Sequence, residues 1–287
     1  MALSESERDK KFFYTTELNA GMYDATVDCV VPLYRDMHAM ILRFLDLSFS
    51  QDEQTSGSPS GRVILEIGSG TGALSIPLLQ KFPLSKLVAV DFSPAMNDVF
   101  RRSFALAFPS DKIESRVRFV EDDILGGYGQ TESLRGVVEE LTSGQTRLFD
   151  ATVSALTLHH FERQEKFEVY SRMFNVLKSG GLLLNGDLFS YESGALKSAA
   201  QSFDQKWIRE NFERRAKEVE SIGEEMCADT KSPSEWRRLG SLWWKHYDED
   251  HRLDSTELQE QMLRFINFRQ TGVPFRYWEG GILWGCK

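Results

Sequence analysis

Cysteine is scarce. Three residues, Cys29, Cys227 and Cys286, are spread over 287 positions. They form neither a paired metal-ligand motif nor a disulfide framework, so no metal is expected. Widely separated thiols of this kind fit a reducing compartment. Long apolar runs are also missing, and no stretch could span a bilayer. The first residues, Met1-Ala2-Leu3-Ser4-Glu5-Ser6-Glu7, are acidic and lack the apolar core of a signal peptide. Positive charge is in deficit: 34 Lys and Arg stand against 43 Asp and Glu, a net charge of −9. An average surface of that sign repels nucleic acid. No internal repeat is apparent. These absences predict a soluble cytoplasmic protein without a membrane or nucleic-acid partner.

What is present is a strand, a bend and an acid. Arg62-Val63-Ile64-Leu65-Glu66-Ile67 is a hydrophobic run that includes Glu66, and Gly68-Ser69-Gly70-Thr71-Gly72 follows it. A helical pattern comes next, and Val88-Ala89-Val90-Asp91 ends a second run about twenty residues on. Glycines let a ligand approach the backbone closely, and an acid at the second strand tip can hold ribose hydroxyls. A dinucleotide site prefers G-x-G-x-x-G, with its pyrophosphate against a helix N-terminus. Here the spacing is G-x-G-x-G, preceded by Glu66. That carboxylate would repel a pyrophosphate but tolerate an amine and a sulfonium, which points to S-adenosylmethionine.

The hydrophobic fraction of 41% permits a full core. Strands are predicted at Val63–Ile67, Leu87–Asp91, Val117–Glu121, Phe149–Ser154 and Gly181–Asp187, with helices over Leu74–Lys81, Met96–Ala107 and Glu165–Leu177. Strands alternating with helices imply a parallel sheet covered on both faces. Phe12 to Leu47 reads as two helices broken near Gly21 and at Pro32. Their stripe Met37, Met40, Ile41, Phe44 and Leu45 would pack on that sheet. Ser48 to Gly61 is rich in Ser, Gly, Gln and acids and reads as a flexible connection. A short helix is predicted at Leu134–Leu141, inside an unusually long connection. From Ser190 to about Arg264 the pattern is helical and charged, and two short strands are predicted near Phe275–Trp278 and Ile282–Cys286. The expected organisation is a lid and linker over 1–61, a cofactor-binding core over 62–189, a helical cap over 190–264 and the last strands over 265–287.

Five blocks in order carry a resemblance: Leu65-Glu66-Ile67-Gly68-Ser69-Gly70-Thr71-Gly72; Val90-Asp91-Phe92-Ser93-Pro94-Ala95-Met96; Val120-Glu121-Asp122-Asp123-Ile124; Ser154-Ala155-Leu156-Thr157-Leu158-His159-His160-Phe161; and Leu177-Lys178-Ser179-Gly180-Gly181-Leu182-Leu183. Together they resemble the class I S-adenosylmethionine-dependent methyltransferases. Within that superfamily the second and fourth blocks are similar to the ubiquinone/menaquinone-type small-molecule enzymes and to carboxy-S-adenosylmethionine synthase. The resemblance implies an α/β fold: a Rossmann-like, doubly wound seven-stranded sheet with the last strand antiparallel, an N-terminal helical lid and a helical cap inserted before the last two strands. It also implies residue roles. Gly68, Ser69, Gly70 and Gly72 would pass beside the methionine part of the cofactor, with Glu66 and the Ala155 carbonyl near its amine. Asp91 would bind the ribose, with Phe92 and Met96 beside the nucleoside. Asp122, Asp123 and Ile124 would meet the adenine. Tyr23-Asp24 resembles an aromatic–acid pair that folds over the cofactor.

Methyl transfer from a sulfonium needs a base only where the acceptor must lose a proton. His159, His160 and Asp187 are the candidates, since they lie at strand tips facing the cleft. Two adjacent histidines cannot both enter one site from a regular element, so one of them could instead cap the following helix. Trp243, Trp244, His246 and Tyr247 set aromatics beside acids, which suits a cationic amine or plain cap packing. A methyltransferase acting on nitrogen or oxygen of a small-molecule acceptor is therefore expected. A homodimer is compatible with this. A carboxy-S-adenosylmethionine synthase of transfer-RNA wobble modification is the alternative, and would need a cation such as Arg214, Arg215, Arg237 or Arg238 for its extra carboxylate. A fold retained only to bind the cofactor is a further one.

Overall fold

The computed structural model describes residues 20–56, 61–122, 124, 149–222 and 231–287. Two helices, α1 (Ala20–Val30) and α2 (Tyr34–Ser56), precede the sheet. The chain then runs β1 (Val63–Ile67), α3 (Ser75–Lys81), β2 (Lys86–Val90), α4 (Pro94–Ala107) and β3 (Val117–Val120). After β4 (Phe149–Ala155) come α5 (Arg163–Val176) and β5 (Leu177–Leu188). Three helices follow, α6 (Gly194–Ile222), α7 (Pro233–Asp250) and α8 (Thr256–Phe265), and then β6 (Gln270–Tyr277) and β7 (Gly280–Cys286).

The seven strands lie in the order β3-β2-β1-β4-β5-β7-β6. Pairing is parallel from β3 to β5, and β7 runs antiparallel to both β5 and β6. The sheet order reverses between β1 and β4, so their C-terminal ends splay connections in opposite directions. An open α/β sheet places its ligand crevice at such a point.

Both sheet faces are buried, which is why β1, β2 and β5 carry continuous apolar runs where a one-sided sheet would alternate. On one face Ile64, Leu87, Ala89, Ala151, Val153, Leu182 and Leu184 pack on Met37, Ile41 and Leu45 of α2. The expected helical stripe therefore does face the sheet. On the other face Leu65, Val88, Leu183 and Leu283 meet Val169, Tyr170 and Met173 of α5 and Leu263 of α8. A third cluster joins α1 to the cap, with Val27, Val30, Ile208, Phe212, Leu239 and Trp243 at its centre. Among the described residues, no helix is long and apolar enough to cross a membrane.

Two local expectations need correction. Ser48 to Ser56 is not a loose connection but the last part of α2, anchored by Phe49 at 4% exposure. Phe49 stacks edge-on with Phe82 and lies under the Arg62 guanidinium, so tertiary contacts hold a polar sequence helical. Strand β5 begins at Leu177, before the predicted Gly181, and a register shift in its pairing with β4 absorbs the extra residues. The predicted helix at 134–141, Cys227 and Asp123 lie outside the described residues.

Candidate active site

The chain leaves β1 through three glycines with positive φ: 69° at Gly68, 52° at Gly70 and 83° at Gly72. L side chains avoid that region. The three positions differ in what a side chain would meet. A Cβ on Gly68 would come within 2.0 Å of the Thr157 hydroxyl, and one on Gly72 within 2.4 Å of the Phe100 ring. A Cβ on Gly70 would meet nothing within 4 Å. Gly68 and Gly72 thus permit close packing, whereas Gly70 leaves bare backbone beside open space. That is the cradle an adenosyl ligand requires.

Two acids frame this bend. Asp91 follows β2, and its carboxylate accepts the Gly70 and Ser93 amides, each at 2.8 Å. Ser93 then caps α4 by accepting the Met96 amide, with Pro94 in the first turn. The Asp-Phe-Ser-Pro-Ala-Met block is therefore a turn and helix start that fixes the Asp91 carboxylate. Burial raises the Asp91 carboxyl above the usual range, and its two amide donors oppose the rise. Glu66 is 1% exposed and accepts the Ser75 hydroxyl at 2.5 Å. Burial pushes its carboxyl up to about 8, the Ser75 hydrogen bond opposes this, and the Asp91 charge adds to it.

The first two helices close one side. Thr71 donates to the Asp24 carboxylate at 2.6 Å, which ties α1 to the glycine bend. Tyr23, Tyr34 and His38 line the cleft from this side. Burial raises the Tyr23 phenol, reinforced by Asp24, Asp187 and Asp91. Burial lowers His38 to about 4, against the pull of Asp28 and a backbone hydrogen bond to Ala73. Tyr34 and His38 were not anticipated as site residues. Their signal was an i, i+4 polar-aromatic pair bordering the apolar stripe of α2.

Beyond β4 the chain turns at Leu156, itself at φ 51°, into a short 3-10 turn, Leu158–His160. This turn separates the adjacent histidines. His160 lines the main cleft together with Thr157 and Phe161. His159 turns inward at 5% exposure, and its Nδ1 meets Asp187 Oδ1 at 2.5 Å. The other Asp187 oxygen accepts the His159 amide at 3.0 Å. Asp187 is 1% exposed and is reached by both the Leu188 amide and the Asn185 side chain.

Most residues singled out in the sequence converge. Tyr23, Glu66, Gly68, Ser69, Gly70, Asp91, Phe92, Met96, Asp122, Ile124 and Ala155 line one cleft with His160. Gly72 is not among its lining residues, because its bare Cα makes room for Phe100 instead. The aromatic cap residues are also set apart. Trp243 and His246 border a small cavity with Tyr23, His159 and His251. Trp244 and Tyr247 border a polar cavity with Arg163, Arg252 and Asp254. None of the four lines the main cleft. Arg214, Arg215 and Arg237 form ion pairs with Glu218, Glu213 and Glu220 on the cap surface.

Comparison with known proteins agrees with this geometry. Residues 65–183 match the family model described as a methyltransferase domain. A malonyl-[acyl-carrier protein] O-methyltransferase from Halalkalibacterium halodurans is 26% identical over 254 residues, covering 86% of this chain and 77% of that protein. An O-methyltransferase family protein from Burkholderia thailandensis superposes with a TM-score of 0.57 at 16% identity; the overlap covers 98% of this chain but only 62% of that one. Magnesium protoporphyrin IX methyltransferase from Synechocystis PCC 6803, solved with SAM bound, gives a TM-score of 0.54 at 13% identity and covers 100% of this chain and 98% of that one. Residues 65–183 thus form a methyltransferase domain, and the motif order, the seven-stranded topology and the glycine-lined cleft are those of the class I S-adenosylmethionine-dependent methyltransferase fold.

Proposed function

We propose that the chain methylates an oxygen or nitrogen of a small-molecule acceptor that enters the cleft beside His160. One observation carries this reading: Glu66, Gly70 and Asp91 on one wall share a cleft with His160 on the other. The malonyl-[acyl-carrier protein] relative favours oxygen among the two atom types. Arg214, Arg215 and Arg237 are engaged by acids of the cap, and none of the four cap arginines lines the main cleft, which counts against a carboxy-S-adenosylmethionine synthase.

The cofactor supplies a methyl group on a sulfonium, an electrophile whose leaving group is already activated. The residues hold it and shape what reaches it. Asp91 uses one lone pair of each oxygen on the Gly70 and Ser93 amides, which leaves acceptor capacity for two ribose hydroxyls. Glu66 would answer the positive charge of the methionine part. Phe92 lines this cleft, is 37% exposed and would lie beside the adenine. Asp122 and Ile124 stand at the same end, where Asp123 is expected to join them. Tyr23 would close over the cofactor from α1. Asp187 fixes the His159 ring, and His160, which lines the cleft, would offer its imidazole to an acceptor proton. Held by Glu66, Gly70 and Asp91, the sulfonium would supply the methyl group, and a proton lost by the acceptor would pass to His160.

Calorimetry with S-adenosylmethionine and its demethylated product tests the binding half. Asp91→Ala should weaken affinity by about 1–3 kcal/mol through lost charged hydrogen bonds. Unchanged affinity in a folded variant would count against the assignment. A panel of amines, phenols and carboxylates tests the acceptor half. With an acceptor in hand, His160→Ala should lower turnover more than cofactor affinity. An equal loss in both would mark the residue as structural.

A further inference from the structure

Four of the five histidines in the chain meet at one place. His159 and His160 come from the turn after β4, His246 from α7, and His251 from the residue that ends α7. The rings of His159 and His160 are 4.0 Å apart, and those of His159 and His251 4.5 Å apart. His246 stands 5.4 Å from His160 and 5.6 Å from His251. A ring cluster this tight disfavours several imidazolium charges at once, so it is chiefly a collection of nitrogen lone pairs.

One ring nitrogen from each of His159, His160 and His251 lies within 4.8 Å of the other two. Nδ1 of His251 is buried and has no hydrogen-bond partner among the described residues. Asp187 occupies Nδ1 of His159, which fixes the tautomer and leaves Nε2 with its lone pair. A carboxylate behind a histidine is the usual support of a metal-ligating imidazole. No short sequence motif announces this group, because its members are about ninety residues apart in the chain.

We propose that His159, His160 and His251 bind one divalent transition-metal ion of the zinc class, with Asp187 as the positioning residue behind His159. Three neutral imidazoles suit zinc, cobalt, nickel or copper and not the oxygen-seeking magnesium or calcium. Tetrahedral zinc with bonds of about 2.0–2.1 Å spaces its nitrogens roughly 3.4 Å apart. Rotation of the side chains by about 1 Å would bring the trio to that spacing. Three ligands leave a fourth position open; His160 also lines the cofactor cleft, whereas His159 and His251 line the small side cavity. Ion binding itself stands apart from the methyl-transfer reading. Where both hold, an acceptor hydroxyl on the ion would release its proton to bulk water at lower pH. The imidazoles would then serve as ligands in place of bases.

The test is titration of the metal-free full chain with Co²⁺, followed by visible absorption. One equivalent should bind with the intense band of tetrahedral cobalt, and Zn²⁺ should displace it. His251→Ala should abolish the band, and Asp187→Asn should weaken binding about 10–100-fold. Binding of S-adenosylhomocysteine by His251→Ala, measured by calorimetry, reports the fold and the cofactor cleft independently. That separates failure of the ion site from failure of the methyltransferase reading. Absence of saturable cobalt binding to the wild-type chain overturns the proposal. So does undiminished binding by a His251→Ala protein that still takes the cofactor. If that variant does not fold, His251→Gln replaces it under the same criteria.

Discussion

At the residue scale, three glycines that look alike in the sequence have different tasks. Gly68→Ala and Gly72→Ala should lower the melting temperature, since their methyl groups would strike Thr157 and Phe100. Gly70→Val should add a branched side chain beside open space and abolish cofactor binding, with backbone strain as its main cost to stability. Thermal melts paired with calorimetry separate the two outcomes. The sequence displayed the glycine pattern but not this division, which depends on Thr157 and Phe100 arriving from distant strands and helices. Glu66 yields a pH prediction. Its carboxyl is raised to about 8 in the folded chain, mainly by burial. A raised carboxyl contributes stability that is present below the unfolded value, near 4.5, and is lost as pH climbs toward 8. A cationic ligand favours the ionised form, so cofactor binding should release a proton and tighten from pH 6 to pH 8. Glu66→Gln should flatten both trends. Calorimetry in buffers of different ionisation enthalpy counts the proton, and a release that persists in the variant would assign it elsewhere.

At the element scale, α2 is the helix that secures one face of the sheet. Ile41 is 0% exposed and lies against Gly186 of β5, where even a Cβ would come within 2.8 Å of it. Ile41→Ala should cost about 2–5 kcal/mol, read from denaturant unfolding. The apolar spacing of this helix was legible because period and burial agree. Its last two turns were not, because Gln51, Asp52 and Glu53 carry no apolar signal and the contact of Phe49 with Phe82 lies thirty residues ahead. The cap shows the same limit. Helical patterning marked this region in the sequence, and the structure starts α7 with a Ser232–Glu235 capping box. Nothing local could tell that Trp243 and Trp244 border side cavities, apart from the main cleft, since that depends on how α6, α7 and α1 pack together. The histidines were legible one at a time as strand-tip residues, whereas their meeting with His251 is a property of the assembled fold.

At the scale of the whole molecule, the cap is joined to the sheet through buried acids. Tyr247 of α7 donates to Asp204 of α6 at 3.0 Å and also meets Glu279, in the β6–β7 turn. Burial raises both carboxyls, the Glu279 charge adds to the rise at Asp204, and Arg276 and Lys197 oppose it at Glu279. Raised carboxyls favour the folded arrangement at low pH and lose that contribution as pH rises through their folded values. Hydrogen exchange in α6 and α7 should therefore quicken at alkaline pH before it does in β4 or β5. Uniform acceleration across all four elements would argue against a separately loosened cap. The bond between Thr71 and Asp24 has its own consequence for turnover. We infer that α1, which lines the cleft through Tyr23 and is tied to the glycine bend by this bond, acts as a hook on departing nucleoside. Cutting that hook with Thr71→Ala should shorten residence time, and the catalytic cycle would then be paced less by exit than by chemistry.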